Sequence, residues 1–428
     1  MASRGFVAVL VISAVVGVVA SLVAWLFLEF VHGAQRWVFA DLPDALGFGS
    51  TPLWWYLPVM ALAGLLAALA IERLPGEGGH RPSRGLDPEP TRPAMLPGVA
   101  LAALASIGGG LVLGPEAPLI AIGGGLGFLA VHLLRRDAPE DLGTLIAAAG
   151  TFAAISFLFG SPLIAAVLLV EAAAPGKERL PLLLLPGLLA AGIGSLVSLG
   201  MGSWTGVDRD DISFTLLQLP ELDRPDLVDF LWTVPLAAAV ALVAVMIFRV
   251  AQRAEPVVER RRLVTLPAIG LVVAGLAIAF SELTDKSVDQ VLYSGQTTIG
   301  PLVSEAGSWS LGALALVIAC KGLAYALSLA GFRGGPVFPA LFLGAAAGVM
   351  AAHLPGLELT AAVSVCIGAA VTAVLWLPLS GVVLAALLTS SAGLGTTPLI
   401  ILGVVVAYLV ALAVAPPPEQ PAPAAQPA

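Results

Sequence analysis

Two stretches of this 428-residue chain share one frame, GPEAPLIAIGGGLG at 114–127 and GPVFPALFLGAAAG at 335–348. Gly114 answers Gly335, Pro115 answers Pro336, Pro118 answers Pro339, Gly123 answers Gly344 and Gly127 answers Gly348, all at an offset of 221. A second pair follows in the same order: FGSPLIAAVLLVE at 159–171 resembles LWLPLSGVVLAAL at 375–387, with Pro162 answering Pro378 at an offset of 216. The competing account is chance likeness among Gly-, Ala- and Leu-rich segments. Two motifs in one order at nearly one spacing favour a duplicated fold, in which each half repeats the other. Glycine and proline inside apolar segments further suit helices that are closely packed or broken at mid-depth.

With 58% hydrophobic residues, 11% charged and a mean hydropathy of +0.98, such a chain belongs in a bilayer. The predicted class is an all-α polytopic membrane protein. Gly5 to Phe30 is too long for a signal-peptide core and reads as a retained helix. Further apolar segments run over 53–71, 98–113, 117–134, 143–159, 163–174 and 180–199. The second half offers 227–248, 263–280, 311–330, 359–375, 379–388 and 399–415, with a basic loop expected at 249–262. The division is residues 1–202 as one half, 203–226 as an extracytoplasmic connection, 227–415 as the inverted second half, and 416–428 as a disordered Pro/Ala tail.

Arginine and lysine gather at 73–92, 135–136, 177–179 and 249–262, whereas 41–44, 202–226 and 282–289 lean acidic. The positive-inside rule places the first group and the N-terminus in the cytoplasm. For the two GP frames to share that topology, the halves must be oppositely oriented. The net charge of −8 says little about partners, because the charges sit in loops. Cys320 and Cys366 lie in apolar runs and read as packing residues, and the four histidines show no ligand spacing. Nothing here calls for a metal, a cofactor or nucleic acid. An intramembrane enzyme would need a nucleophile–base pair or metal ligands, and there is no HExxH, no plausible His/Asp pairing and no cysteine near a histidine.

Glu116 is the residue that remains. It stands in an apolar run bounded by Arg92 and Arg135. An acid at a bilayer's centre costs about 2.5 to 3.5 kcal/mol even on a lenient scale, so it must be neutral, paired or wet. Proline at a helix's first turn, with glycines that let backbone approach closely, makes an amide-lined anion site with a helix dipole behind it. A mobile anion and the Glu116 carboxylate would compete for that site, and a proton would release it. Residues 335–339 would aim a second helix start at the same place, and Gly76-Glu77-Gly78-Gly79-His80 offers a candidate third. Ordinary packing glycines and a plain loop are the alternatives for these two. Glu171 is a solvated helix end or a proton route, and Lys321 and Arg333 are expected to snorkel to the interface.

These pieces resemble the CLC chloride channels and proton-coupled chloride antiporters over about 53–415. Gly114-Pro115-Glu116-Ala117-Pro118 is similar to that family's G-x-E-G-P, Gly335-Pro336-Val337-Phe338-Pro339 to its G-x-F-x-P, and Gly76-Glu77-Gly78-Gly79-His80 loosely to its G-S-G-I-P. The resemblance implies an inverted repeat of broken, tilted helices and a homodimer with one anion path per subunit, in the plasma membrane. Chloride or a similar small anion is implied as the substrate, passively or in exchange for protons, with no enzymatic activity. It makes Glu116 the gating glutamate and implies anion contacts at Gly76, Glu77, Gly78, Gly79, Gly114, Pro115, Ala117, Gly335, Pro336, Val337 and Phe338. The sequence departs from the pattern in several places. Pro115 and Pro336 lack an N–H, Glu77 stands where a serine is expected, and Ala172 holds the family's inner glutamate position, next to Glu171. The apolar pattern ends near Ala415 without the expected tyrosine-bearing helix. A relative whose pathway has closed is the other reading of these departures.

Overall fold

The computed structural model describes residues 4–86, 91–134, 139–173, 180–205 and 217–415. Arg135–Arg136, Lys177, Arg179, residues 206–216 of the acidic connection and the Pro/Ala tail lie outside the described residues. Among those described there are fourteen helices of eleven residues or more. The first seven are α1 (Arg4–Arg36), α2 (Tyr56–Arg73), α3 (Leu96–Gly108), α4 (Glu116–Leu134), α5 (Glu140–Phe159), α6 (Pro162–Ala173) and α7 (Leu180–Thr205). The second seven are α8 (Leu227–Arg260), α9 (Arg262–Thr284), α10 (Leu311–Gly331), α11 (Val337–Ala351), α12 (Leu359–Leu375), α13 (Pro378–Leu388) and α14 (Thr397–Val414). Nine helical spans among the described residues are long and apolar enough to cross a membrane, making this an integral multi-pass protein. The other five helices, α3, α6, α11, α12 and α13, are shorter.

The boundaries follow from local chemistry. Asp226 and Asp229 form a reciprocal capping box at the start of α8. α5 ends at Gly160 (φ 63°) and α12 at Trp376 (φ 61°), both left-handed and again 216 positions apart. Pro162 and Pro378 then open the next helices, where a missing N–H costs nothing. One expectation is corrected: 249–260 is no loop but the last turns of α8, and the chain breaks only at Arg261. Ala251, Glu255 and Val258 stay on the buried face there, and arginine is itself a good helix former, so charge alone does not stop the helix.

Packing repeats as the sequence does. α4 lies on α5 as α11 lies on α12, α5 on α7 as α12 on α14, and α1 on α7 as α8 on α14. The small residues repeat in register. Gly123 meets the Gly150 carbonyl and Ala154, whereas Gly344 meets the Cys366 carbonyl and Ala370. A Cβ at either glycine would strike backbone, so these helices approach as closely as helices can.

Two helix pairs join an element to its own counterpart, α2 with α9 and α6 with α13. Between α2 and α9 the contact is reciprocal. Gly64 meets the carbonyl of Leu266 and Gly270 meets that of Met60, each residue standing 206 positions from its equivalent. Reciprocal contact is what a two-fold axis between halves produces. The fold is thus an inverted repeat of broken helices.

Candidate functional site

At the axis, the two GP frames touch. Gly114 N–H donates to the Gly335 carbonyl at 2.8 Å and Gly335 N–H to that of Gly114 at 2.5 Å, an isolated antiparallel bridge between equivalent residues. Buried serines brace it from both sides. Ser106 Oγ accepts the Arg333 N–H at 3.1 Å, and Ser328 Oγ accepts the Val112 N–H at 3.2 Å. Each serine donates in turn to the carbonyl four residues back, Ala102 or Ala324. The bridge thus fixes where α4 and α11 start relative to one another.

Glu116 is the first residue of α4 and is 1% exposed. Its side chain crosses the bridge, and Oε1 accepts the Phe338 N–H at 2.9 Å, in the first turn of α11. Because Pro336 caps α11 and has no N–H, the amide that meets the carboxylate lies just inside the helix. Oε2 is buried without a hydrogen-bond partner among the described residues. It faces Gly335, where any Cβ would collide with it. A carboxylate from one half therefore fills the amide-lined, dipole-positive start of a helix in the other.

Two aromatic residues frame this contact. Phe159, the last residue of α5, stacks on Phe338 with centroids 5.5 Å apart, which brings the second repeated motif against the first. Tyr325 is fully buried, and its hydroxyl donates to the Pro336 carbonyl at 2.6 Å. Sequence reasoning missed Tyr325, Ser106 and Ser328. The serines stand at an offset of 222 rather than 221, a one-residue slip that hides them from a gap-free comparison.

The frames at 114–118 and 335–339 lie against one another through the Gly114–Gly335 bridge and the Glu116–Phe338 bond. The 76–80 segment differs. No helix starts there; it is a turn with positive φ at Gly76, Glu77, Gly78 and Gly79, leading to a 3₁₀ turn at Pro82–Arg84. The candidate third helix terminus is thereby corrected, since glycine-rich composition here serves left-handed backbone. The Glu77 side chain is 67% exposed, 3.8 Å from Arg81, and only its carbonyl points inward, to Arg333.

Lys321 and Arg333 do not snorkel; they are 0% and 4% exposed. Lys321 Nζ donates to the carbonyls of Gln290, Val291, Leu292 and Tyr293 at 2.9–3.3 Å and lies over the Phe342 ring. Four carbonyls in one turn are a better partner for an ammonium than a distant interface. Glu171 is bound too. Its oxygens accept from the Leu379 N–H (2.9 Å), the Ser380 N–H (2.7 Å) and Ser380 Oγ (2.6 Å), capping the start of α13. On the face where α1 ends, a cavity of about 540 Å³ reaches Pro115 and is lined by Arg36, Tyr56, Asp289, Tyr293 and Gln296. No cluster of His, Cys, Asp and Glu among the described residues suits a metal ion.

An inverted repeat of broken helices whose opposed helix starts meet at mid-protein is the architecture of a membrane transport protein. Residues 83–412 match the family described as the voltage gated chloride channel, and the chain belongs to that family. It is 28% identical over 346 residues to the YfeO protein of Salmonella schwarzengrund strain CVM19633, covering 78% of each chain. Its identity to YfeO of Escherichia coli O1:K1 is also 28%, over 356 residues covering 82% of this chain and 80% of the other. Both names assign ion transport provisionally. Among solved structures, a slow cyanobacterial Cl−/H+ antiporter superposes with a TM-score of 0.77 at 20% identity, over 96% of this chain and 95% of that one. A CLC-type fluoride/proton antiporter gives 0.68 at 18% identity, over 96% and 97%.

Proposed function

We propose that the protein carries chloride or a similar small anion across the membrane, and that Glu116 gates the path. The observation that carries this reading is the Glu116 Oε1 bond to the Phe338 N–H, buried between the starts of α4 and α11. In the ionised state the carboxylate occupies the place a mobile anion would take and satisfies an amide that would otherwise be left bare. Protonation removes the charge that the helix dipole holds, so the side chain leaves and the amide accepts an anion. Gly114, Pro115 and Ala117 shape one wall of the berth, and Gly335, Pro336, Val337 and Phe338 the other.

Gly76, Glu77, Gly78 and Gly79 belong to the same path at its arginine-rich mouth, which the charge bias assigns to the cytoplasm together with the N-terminus. The outward Glu77 side chain removes the repulsion expected at that position. Glu171 spends both oxygens on α13, which favours a cap over a proton route. The family resemblance further implies a homodimer in the plasma membrane, and the structural neighbours, a Cl−/H+ and an F−/H+ antiporter, support protons as a second substrate.

Purified protein in liposomes tests the reading, with chloride, nitrate and fluoride flux measured at two pH values. Flux should rise as pH falls, and Glu116→Gln should flatten that dependence. Flux in Glu116→Gln that still follows pH would refute the gate. An anion gradient that drives protons uphill identifies exchange rather than passive conduction.

A further inference from the structure

Tyr325 lies fully buried on α10, with its ring edge-on to Phe248 of α8 at 6.3 Å. Its hydroxyl donates to the Pro336 carbonyl at 2.6 Å, at the short end of the range for such bonds. The donor is therefore spent on backbone and gives nothing to a mobile ion directly. The ring also borders a cavity of about 420 Å³ whose lining is almost wholly apolar, Ile247, Ala340, Leu343 and Val374 among it. A cavity of that kind holds no ordered water that could stand in for the hydroxyl.

Peptide planarity carries this bond through to Glu116. The Pro336 C=O and the Val337 N–H belong to one planar unit and point to opposite sides of it. A donor that pins the carbonyl on one side aims the amide at the other. The N–H groups of Val337 and Phe338 are the ones in this turn that act on the Glu116 carboxylate. Pro336 has no amide to add, so the grip on the carboxylate depends on how this single turn is held.

The repeat shows that a helix start in this frame does not require a phenol. Tyr325 stands three residues before Ser328, and the place three before Ser106 belongs to Ala103. There the Pro115 carbonyl accepts the Leu119 N–H at 3.0 Å, and α4 begins with no hydroxyl supplied from position 103. The half that supplies the acid has alanine at this position; the half that receives the acid has tyrosine.

Other titratable groups around the carboxylate are turned elsewhere. Helices α3 and α11 hold none, and α5 keeps Glu140 and Asp141 at its far end. Lys321 is directed to the carbonyls of 290–293 and Arg333 to that of Glu77. His32, Arg36, Asp289 and Tyr293 line the cavity beyond Pro115. Glu116 and the Tyr325 phenol, by contrast, are close enough to act on one another.

We propose that Tyr325 is a positioning residue for the gate: by holding the Pro336 carbonyl it turns the Val337 and Phe338 amides onto Glu116, and so sets the proton concentration at which that side chain lets go. The inference rests on the gating reading of Glu116 and names what tunes it. Without the hydroxyl the amides hold the ionised carboxylate less firmly. Fewer protons then release it, and the gate opens at higher pH.

The experiment follows chloride flux in liposomes across a pH series for wild type and Tyr325→Phe. The pH of half-maximal flux should rise by about half a unit in the variant, about threefold in proton concentration. A lower Tm with that pH unchanged would overturn the proposal, since a merely structural tyrosine predicts it. A second measurement does not depend on transport. The infrared band of the protonated Glu116 carboxyl, assigned by its loss in Glu116→Gln, is titrated in both proteins. It should form at higher pH in Tyr325→Phe, and a flux shift without a band shift also counts against the idea. If wild-type flux ignores pH or is absent, the gating reading fails, and the band alone decides whether Tyr325 positions the amides. Should Tyr325→Phe fail to fold, a ring-fluorinated tyrosine at the same position keeps the shape and donates more strongly. That replacement should move the band to lower pH, and an unmoved band refutes the role.

Discussion

Glu116 and Phe338 are joined by a hydrogen bond of 2.9 Å that no local rule of either segment requires. A side chain at the first residue of one helix caps the first turn of another that begins 221 positions later. Gly335 makes this possible, because it leaves room for the carboxyl. Gly335→Ala should expel the Glu116 side chain from α11. Anion flux near neutral pH should rise toward its acidic value, and the pH dependence should flatten as in Glu116→Gln. Flux measured at two pH values in liposomes checks it; an unchanged profile would show that the carboxyl had room elsewhere.

The serine pair predicts equal effects at sites 222 residues apart. Ser106→Ala strands the Arg333 amide and Ser328→Ala strands the Val112 amide, each buried. Each should cost about 1 to 3 kcal/mol, the penalty for a buried donor left without a partner. Denaturant unfolding in detergent would measure both. Markedly unequal losses would mean that the bridge is not braced symmetrically.

Lys321→Met should destabilise the segment from Gln290 to Tyr293, since four carbonyls lose one shared donor. Bonds to charged groups contribute about 1.5 to 3 kcal/mol in total here, so Tm should fall by several degrees. Hydrogen exchange should show the loss concentrated at 290–293, beside the cavity that reaches Pro115. Protection retained there would sink the prediction.

Glu171→Ala removes three bonds from the start of α13. A lost helix cap costs about 1 to 2 kcal/mol. Stability should drop by that amount while the pH dependence of flux stays as in wild type. A changed proton-to-anion ratio in this variant would instead make Glu171 part of a proton route.

Much of the fold was legible because duplication writes itself into spacing. Pro162 and Pro378 mark equivalent helix starts, Gly123 and Gly344 equivalent close approaches, and the frames around Gly114 and Gly335 the axis itself. The extent of α8 was not legible. A run of arginines reads as a loop by composition, and only the buried face formed by Ala251, Glu255 and Val258 carries the helix on to Arg260. The Gly76–His80 turn misled for a related reason, since glycines that allow left-handed backbone look like glycines that line a helix start.

By itself the sequence determined a membrane protein, an internal repeat, and one acid in an apolar run that had to find donors. These follow from composition and period, which act along the chain and need no partner. The tertiary structure alone decided which donor the acid found, that Tyr325 and Phe159 frame it, that Glu171 is a cap, and that Arg333 is buried rather than snorkelling. Each of these depends on residues tens to hundreds of positions apart meeting across a two-fold axis. A polar side chain's role is set by whatever hydrogen-bonding group packing brings to it, and sequence distance carries no record of that meeting.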